Sequence, residues 1–215
     1  GFFRIVFGAE FHVSGRVDRI RKYDQPVRVY ADSRAKPDRR KQVAAVVDDI
    51  RSKVRHLDIA MVDDRKDANV TVTLVRDRDI EKTIRQFYGR EQGDKIMKSL
   101  EPQCLSGFKK DELFRIQHSD IIIAVDAGDF IFYDCVYEEV LQSLGPINDD
   151  DKLPWTMFND DVQMGFFDIY DQYLLNLLYD PRIRAGMSKT QVKELLPKIL
   201  PDVRAWITKA NGLKE

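Results

Sequence analysis

The sequence predicts an α/β fold of the α+β kind: one domain with a mixed sheet, long helices and a helical C-terminal third. Three observations carry this expectation. Ile121-Ile122-Ile123-Ala124-Val125 is a continuous apolar run, as a strand buried on both faces requires. Val27-Arg28-Val29-Tyr30-Ala31 alternates behind Pro26, and Val43, Val46, Val47, Ile50 and Val54 then recur at helical spacing. Beyond Phe166 the apolar residues follow helical spacing almost to the end of the chain.

Taken in order, Phe2 to Val13 reads as an extended arm docked on the body, within an N-terminal part of residues 1–20. Residues 21–149 hold the sheet and a central helix, and residues 150–215 form the helical part. The first strand leads into a helix from about Asp38 to His56. Strands at Leu57–Val62 and Asn69–Val75 follow, separated by the polar turn Asp63–Asp67. Asp79 to Tyr88 reads as a short, charged helix on an insertion. Asp126-Ala127-Gly128-Asp129 supplies turn chemistry after the apolar run, and Asp134 then caps a helix that stops at Gly145-Pro146. Phe166, Tyr170, Tyr173, Leu174, Leu177 and Leu178 make one face of the next helix, ended before Asp180-Pro181. Ser188 and Gln191 form a capping box, and Pro201 opens a last short helix through Trp206.

At 215 residues the chain is long enough for one well-buried core. With 43% hydrophobic and 33% charged residues it is not a disordered chain. A net charge of -1 speaks against nucleic acid or anionic lipid as a chain-wide partner. The basic run Arg34–Lys41 sits where a helix begins and is followed by acidic residues, so it reads as a solvated face. No apolar run spans a bilayer and no signal peptide is visible. The chain opens Gly1-Phe2-Phe3-Arg4, which reads as a processed or truncated product whose removed leader leaves room for a lipid anchor. Cys104 and Cys135 are read as a disulfide ahead of two free thiols, and a disulfide implies an oxidising compartment. His12, His56 and His118 show no metal-ligand spacing.

Chemistry concentrates in Val136–Asp149. On a helical wheel Val136, Tyr137, Val140, Leu141 and Leu144 share one face, with Cys135, Glu138 and Gln142 opposite. The stretch resembles the metzincin signature H-E-x-x-H-x-x-G-x-x-H, in which three histidines hold zinc. Glu139 falls on the catalytic glutamate and Gly145 on the turn glycine, while the ligand positions carry Glu138, Gln142 and Asn148. Pro154-Trp155-Thr156-Met157-Phe158 resembles the methionine turn beneath the metal, and Asp168 through Tyr179 resembles the closing helix. This resemblance implies a single metzincin-like domain with a vestigial cleft at Glu138, Glu139, Gln142, Gly145, Asn148 and Met157.

Arg21–Val29, Asp67–Val70, Cys135–Asp149 and Leu177–Ser188 are also similar to a proteobacterial domain family of unknown function, some of whose members are described as candidate lipoproteins. That likeness, spread from Phe2 to Trp206, implies the periplasm or the outer membrane. The expected role is a non-catalytic binding or structural protein of the bacterial envelope, with a peptide or envelope protein as partner and no cofactor. Glu138 with Asp149 makes a poor calcium cage. The alternative is a hydrolase using Glu138, Glu139 and Asp149 without zinc.

Overall fold

The computed structural model describes residues 1–7, 18–100, 102–146, 148, 150–159 and 161–213. His12, Ile147 and Asp149 lie outside the described residues. Five strands, β1 (Val27–Ser33), β2 (Ile59–Met61), β3 (Val70–Val75), β4 (Cys104–Lys110) and β5 (Ile116–Ala124), form one sheet in the order β2-β1-β3-β5-β4. The first four members of that order run parallel, with Val29 opposite Met61 and Val70, and Val72 opposite Ile121. At the edge β4 is antiparallel to β5, with Ser106 opposite Ile121 and Gly107 opposite Asp120. Every residue of β3 is buried, which is why it reads Val-Thr-Val-Thr-Leu-Val without solvent-facing alternation.

The helices sort onto the two faces of the sheet by what they bury. α1 (Phe2–Val6), α2 (Arg40–Lys53), α5 (Asp129–Ser143), α6 (Ile169–Leu178) and α7 (Lys189–Ala210) share one apolar cluster with Val27, Val29, Val70, Val72, Ile121 and Ile123. α3 (Ile80–Tyr88) and α4 (Arg90–Leu100) cover the other face, where Ile80, Ile84 and Ile96 meet Leu105, Ile122 and Ala124. Among the described residues no helix is long and apolar enough to cross a membrane.

Several expectations need correction. Phe2–Val6 is a helix, with Phe2, Ile5 and Val6 in the core, where an extended arm was expected. The strand at β4 and the helix α4 carry no clean periodicity; Gly107 and the terminal lysines of β4 dilute it. α3 is no mere insertion, because with α4 it closes the second face of the sheet. α5 starts at Asp129 behind Gly128, so Asp134 lies inside it and accepts a hydrogen bond from the Met164 N–H. α6 starts at Ile169 under an Asp168 cap, which leaves Phe166 outside it and exposed. Finally, α7 runs unbroken through Pro197 and Pro201 from its Ser188–Gln191 capping box. The two prolines are four apart on the exposed face, where water can reach the carbonyls their missing N–H groups leave open.

Cys104, at the start of β4, is bridged to Cys135 in α5 across 31 residues. The bridge ties the sheet edge to the helix beside it. Closing that loop stabilises the fold by about 3–4 kcal/mol in the chain-entropy model. Urea unfolding with and without reductant should show an unfolding free energy lower by that amount when reduced, and Cys135→Ser should remove the effect of reductant.

Candidate functional site around α5

Unlike a surface helix, α5 has polar residues among its buried ones: Asp134, Glu139, Gln142 and Ser143 as well as Phe132, Val136, Val140 and Leu141. A helix buried on most sides must satisfy its last carbonyls from elsewhere in the fold. The Ser119 hydroxyl donates to Ser143 O at 3.0 Å and the Tyr179 hydroxyl to Leu144 O at 2.8 Å. Tyr23 shares a 2.7 Å hydrogen bond with Ser119 and joins the two anchors, its own N–H reaching the Tyr179 oxygen. The chain then leaves through Gly145, whose φ of 132° lies beyond the reach of most side chains.

Gln142 is the centre of the buried polar set. Its Oε1 accepts from the Ser106 hydroxyl of β4 at 3.3 Å, and its Nε2 donates to Glu138 Oε1 at 3.4 Å. Glu138 is half-buried and Glu139 buried. Across the sheet edge the Tyr88 hydroxyl lies over Gly107, where any Cβ would stand 2.4 Å from it. Burial, then the charges of Asp120 and Glu139, push the Tyr88 phenol well above its ordinary range. Arg21 is buried beside Phe108, its Cζ 5.7 Å from the ring centroid, and Nη2 donates to Val6 O at 3.1 Å. Burial brings its guanidinium down to about 10.

Asn148 and Met157 are tied to other partners. Asn148 Nδ2 donates to Arg4 O at 3.0 Å, and Arg4 forks onto both oxygens of Asp150 at 3.0 and 3.1 Å. Thus α1 is clamped against the segment that follows Gly145. Met157 is buried, and its N–H donates to Asp171 Oδ2 at 3.0 Å while the Thr156 hydroxyl donates to Asp171 Oδ1. The Phe158 N–H returns to Thr156 Oγ1 at 3.3 Å, closing the turn. Asp171 takes two of the turn's hydrogen bonds, and burial raises its carboxyl to about 6 despite both.

The structure therefore brings Glu138 and Gln142 together and joins them to Ser106, which the sequence pattern did not single out. Arg4, Arg21, Tyr88 and Asp171 were missed as well. Their roles come from contacts 14 or more residues away in sequence, and no local pattern records them. The donor set does not suit zinc: the Gln142 amide is committed on both ends, and Asn148 gives its amide nitrogen to a backbone carbonyl. Among the described residues no three His, Cys, Asp or Glu side chains converge on a metal position.

Gly145→Ala should destabilise by at least about 2 kcal/mol, because a Cβ there would stand 2.2 Å from Arg21 O at a φ only glycine tolerates. Urea denaturation checks it. Asp171 makes a pH-dependent prediction. With a native value of about 6 against 3.8 unfolded, the native state binds more protons between those values. Stability contributed by the protonated acid is present near pH 4 and is lost as pH rises through 6, a difference of roughly 2–3 kcal/mol. Asp171→Asn should remove that slope from a pH series of unfolding free energies, at the cost of one hydrogen bond.

No curated protein matches this sequence. A profile of the family described as protein of unknown function (DUF2927) matches residues 1–198, and the chain belongs to that family.

Proposed function

We propose that this chain is a non-catalytic, metzincin-like binding protein of the bacterial cell envelope. One observation carries the reading. At the ligand positions of the metzincin pattern stand Glu138, Gln142 and Asn148, and the amides of the last two are engaged by Ser106, Glu138 and the Arg4 backbone. Polar groups placed for zinc in that pattern serve here as internal fastenings. The Cys104–Cys135 bridge supports an oxidising compartment, hence the periplasm or the periplasmic face of the outer membrane, with a lipid on a cleaved leader as the tether.

The partner is an extended peptide segment of an envelope protein. β4 is the outer strand of the sheet, antiparallel to its neighbour and flanked by α5. A sheet edge of this kind recruits a further strand through backbone hydrogen bonds, with side-chain pockets adding specificity. Protein purified without chelator should contain no stoichiometric zinc by elemental analysis, and a peptide array should yield saturable binders that Glu139→Gln leaves intact. A zinc ion at one per chain that is lost in Glu138→Ala would overturn the reading. So would a hydrolytic activity that Glu139→Gln eliminates. An array without any saturable binder would remove the peptide and leave a structural role.

A further inference from the structure

α2, α3 and α4 each neutralise cations with acids about one turn away. Arg51 pairs with Asp48, Lys53 with Asp49, Arg85 with Glu81 and Lys95 with Glu91, at 2.6 to 3.0 Å. α7 has no such pair. Its five cations, Lys189, Lys193, Lys198, Arg204 and Lys209, share the helix with only two acids, Glu194 and Asp202. Asp202 is held by Arg182, which also grips Asp180, and counting that arginine and aspartate leaves a surplus of three positive charges.

Val192, Ile199, Val203 and Ile207 turn the core face of α7 inward. Lys189, Lys193, Pro197, Leu200 and Arg204 follow one another at steps of four, four, three and four, so they form a single stripe beside that face. All five are exposed, Leu200 to 41% although it is apolar. Neither acid of the helix lies on the stripe: Glu194 is about 100° round from Lys193, and Asp202 about 160° from Arg204. Among the described residues Lys189, Lys193 and Arg204 make no ion pair. We propose that this flank of α7 docks on the surface of an anionic phospholipid bilayer, with Lys189, Lys193 and Arg204 on headgroup phosphates and Leu200 at the interface.

The row from Lys189 to Arg204 is about 22 Å long at the rise of an α-helix. It is straight and convex, so a plane of negative charge meets all three cations at once, whereas a bound peptide needs a groove or a free sheet edge. Lysine and arginine keep their heads among the phosphates while an apolar neighbour between them dips lower. The plain alternative is a solvated helix face. A solvated face gains from acids one turn away, as in α2, α3 and α4, and has no use for an exposed leucine between its cations.

The chain as a whole carries a net charge of -1, so the attraction belongs to this face alone. Lys189 Nζ lies 5.4 Å from the centroid of the Phe3 ring, which sets α1 against the first turn of the stripe. A lipid on a cleaved leader, as proposed above, would leave the fold beside it, but the flank needs no tether to meet a bilayer.

The test is flotation of the protein with large vesicles of phosphatidylglycerol or of phosphatidylcholine at low salt. Each cation near an anionic surface is worth roughly a fivefold preference, so phosphatidylglycerol should retain the protein at least about tenfold better. Salt at ~0.5 M should release it. Lys193→Glu combined with Arg204→Glu should lower retention at least about tenfold with an unchanged melting temperature. Lys82→Glu combined with Lys98→Glu makes the same charge change on the helices of the opposite sheet face, and should leave retention within about twofold. Retention that is absent on both lipids, or equal on both, overturns the proposal. So does retention that survives the salt, is untouched by the α7 pair, or falls equally with the remote pair. Binding to poly-glutamate without binding to the vesicles would assign the flank to an acidic polypeptide, and that too overturns it.

Discussion

Everything at the centre of this molecule depends on how the C-terminal end of α5 is satisfied without water. A carbonyl buried there without a donor costs about 1–3 kcal/mol, and several stand close together. Ser119 and Tyr179 supply two hydroxyls from β5 and from the end of α6, and Tyr23 couples the two. Gly145 then lets the Arg21 carbonyl pass at a distance no side chain would allow. Those contacts fix the far end of α5, and the Cys104–Cys135 bridge fixes its first half to β4. Glu138, Glu139 and Gln142 lie between the two anchors, so their placement follows from constraints outside their own turn of helix.

A related requirement governs the end of α6. Lys22 is buried with its ammonium donating to Leu178 O at 2.7 Å and Ile183 O at 2.9 Å, and the same Nζ lies 4.8 Å from the centroid of the Tyr179 ring. Burial lowers this lysine to about 8, and the charges of Asp180 and then Asp24 limit the drop. The polar stretch from Arg21 to Tyr23 thus serves three helix ends: Arg21 caps α1 at Val6 O, Lys22 caps α6 at Leu178 O, and Tyr23 backs the two hydroxyls that cap α5. Its residues look like surface residues in sequence and lie among the most buried polar groups of the fold.

How much was legible follows from the same physics. The β3 and β5 runs and α2 were legible because burial on two faces or on one stripe leaves a period in the sequence. The α7 capping box was legible because it is local. β4 was not, since an edge strand with Gly107 under Tyr88 and a lysine-rich end alternates poorly. α5 was legible as a helix; that Glu139 and Gln142 are buried, with Gln142 against Ser106 of β4, was not. A resemblance to a zinc-protease helix singled out this segment on sequence alone. Only tertiary structure revealed that Ser106 and Arg4 are what its polar positions meet.

The turn at Trp155–Phe158 is placed by core packing and by one buried carboxyl. Trp155 is 73% exposed and sits at φ 63°, a left-handed conformation that costs a bulky residue on the order of 1–3 kcal/mol. The carboxyl that holds the turn, Asp171, is buried and raised to about 6, so the anchor is itself costly. What offsets both is the apolar pair behind them. Met157 and Phe158 are buried in the main core cluster, each side chain contributing roughly 1.5–3 kcal/mol relative to exposure. The exposed tryptophan is a consequence of driving its two neighbours inward. On that account Met157 stands where it does because the core takes an apolar residue there and Asp171 receives its N–H.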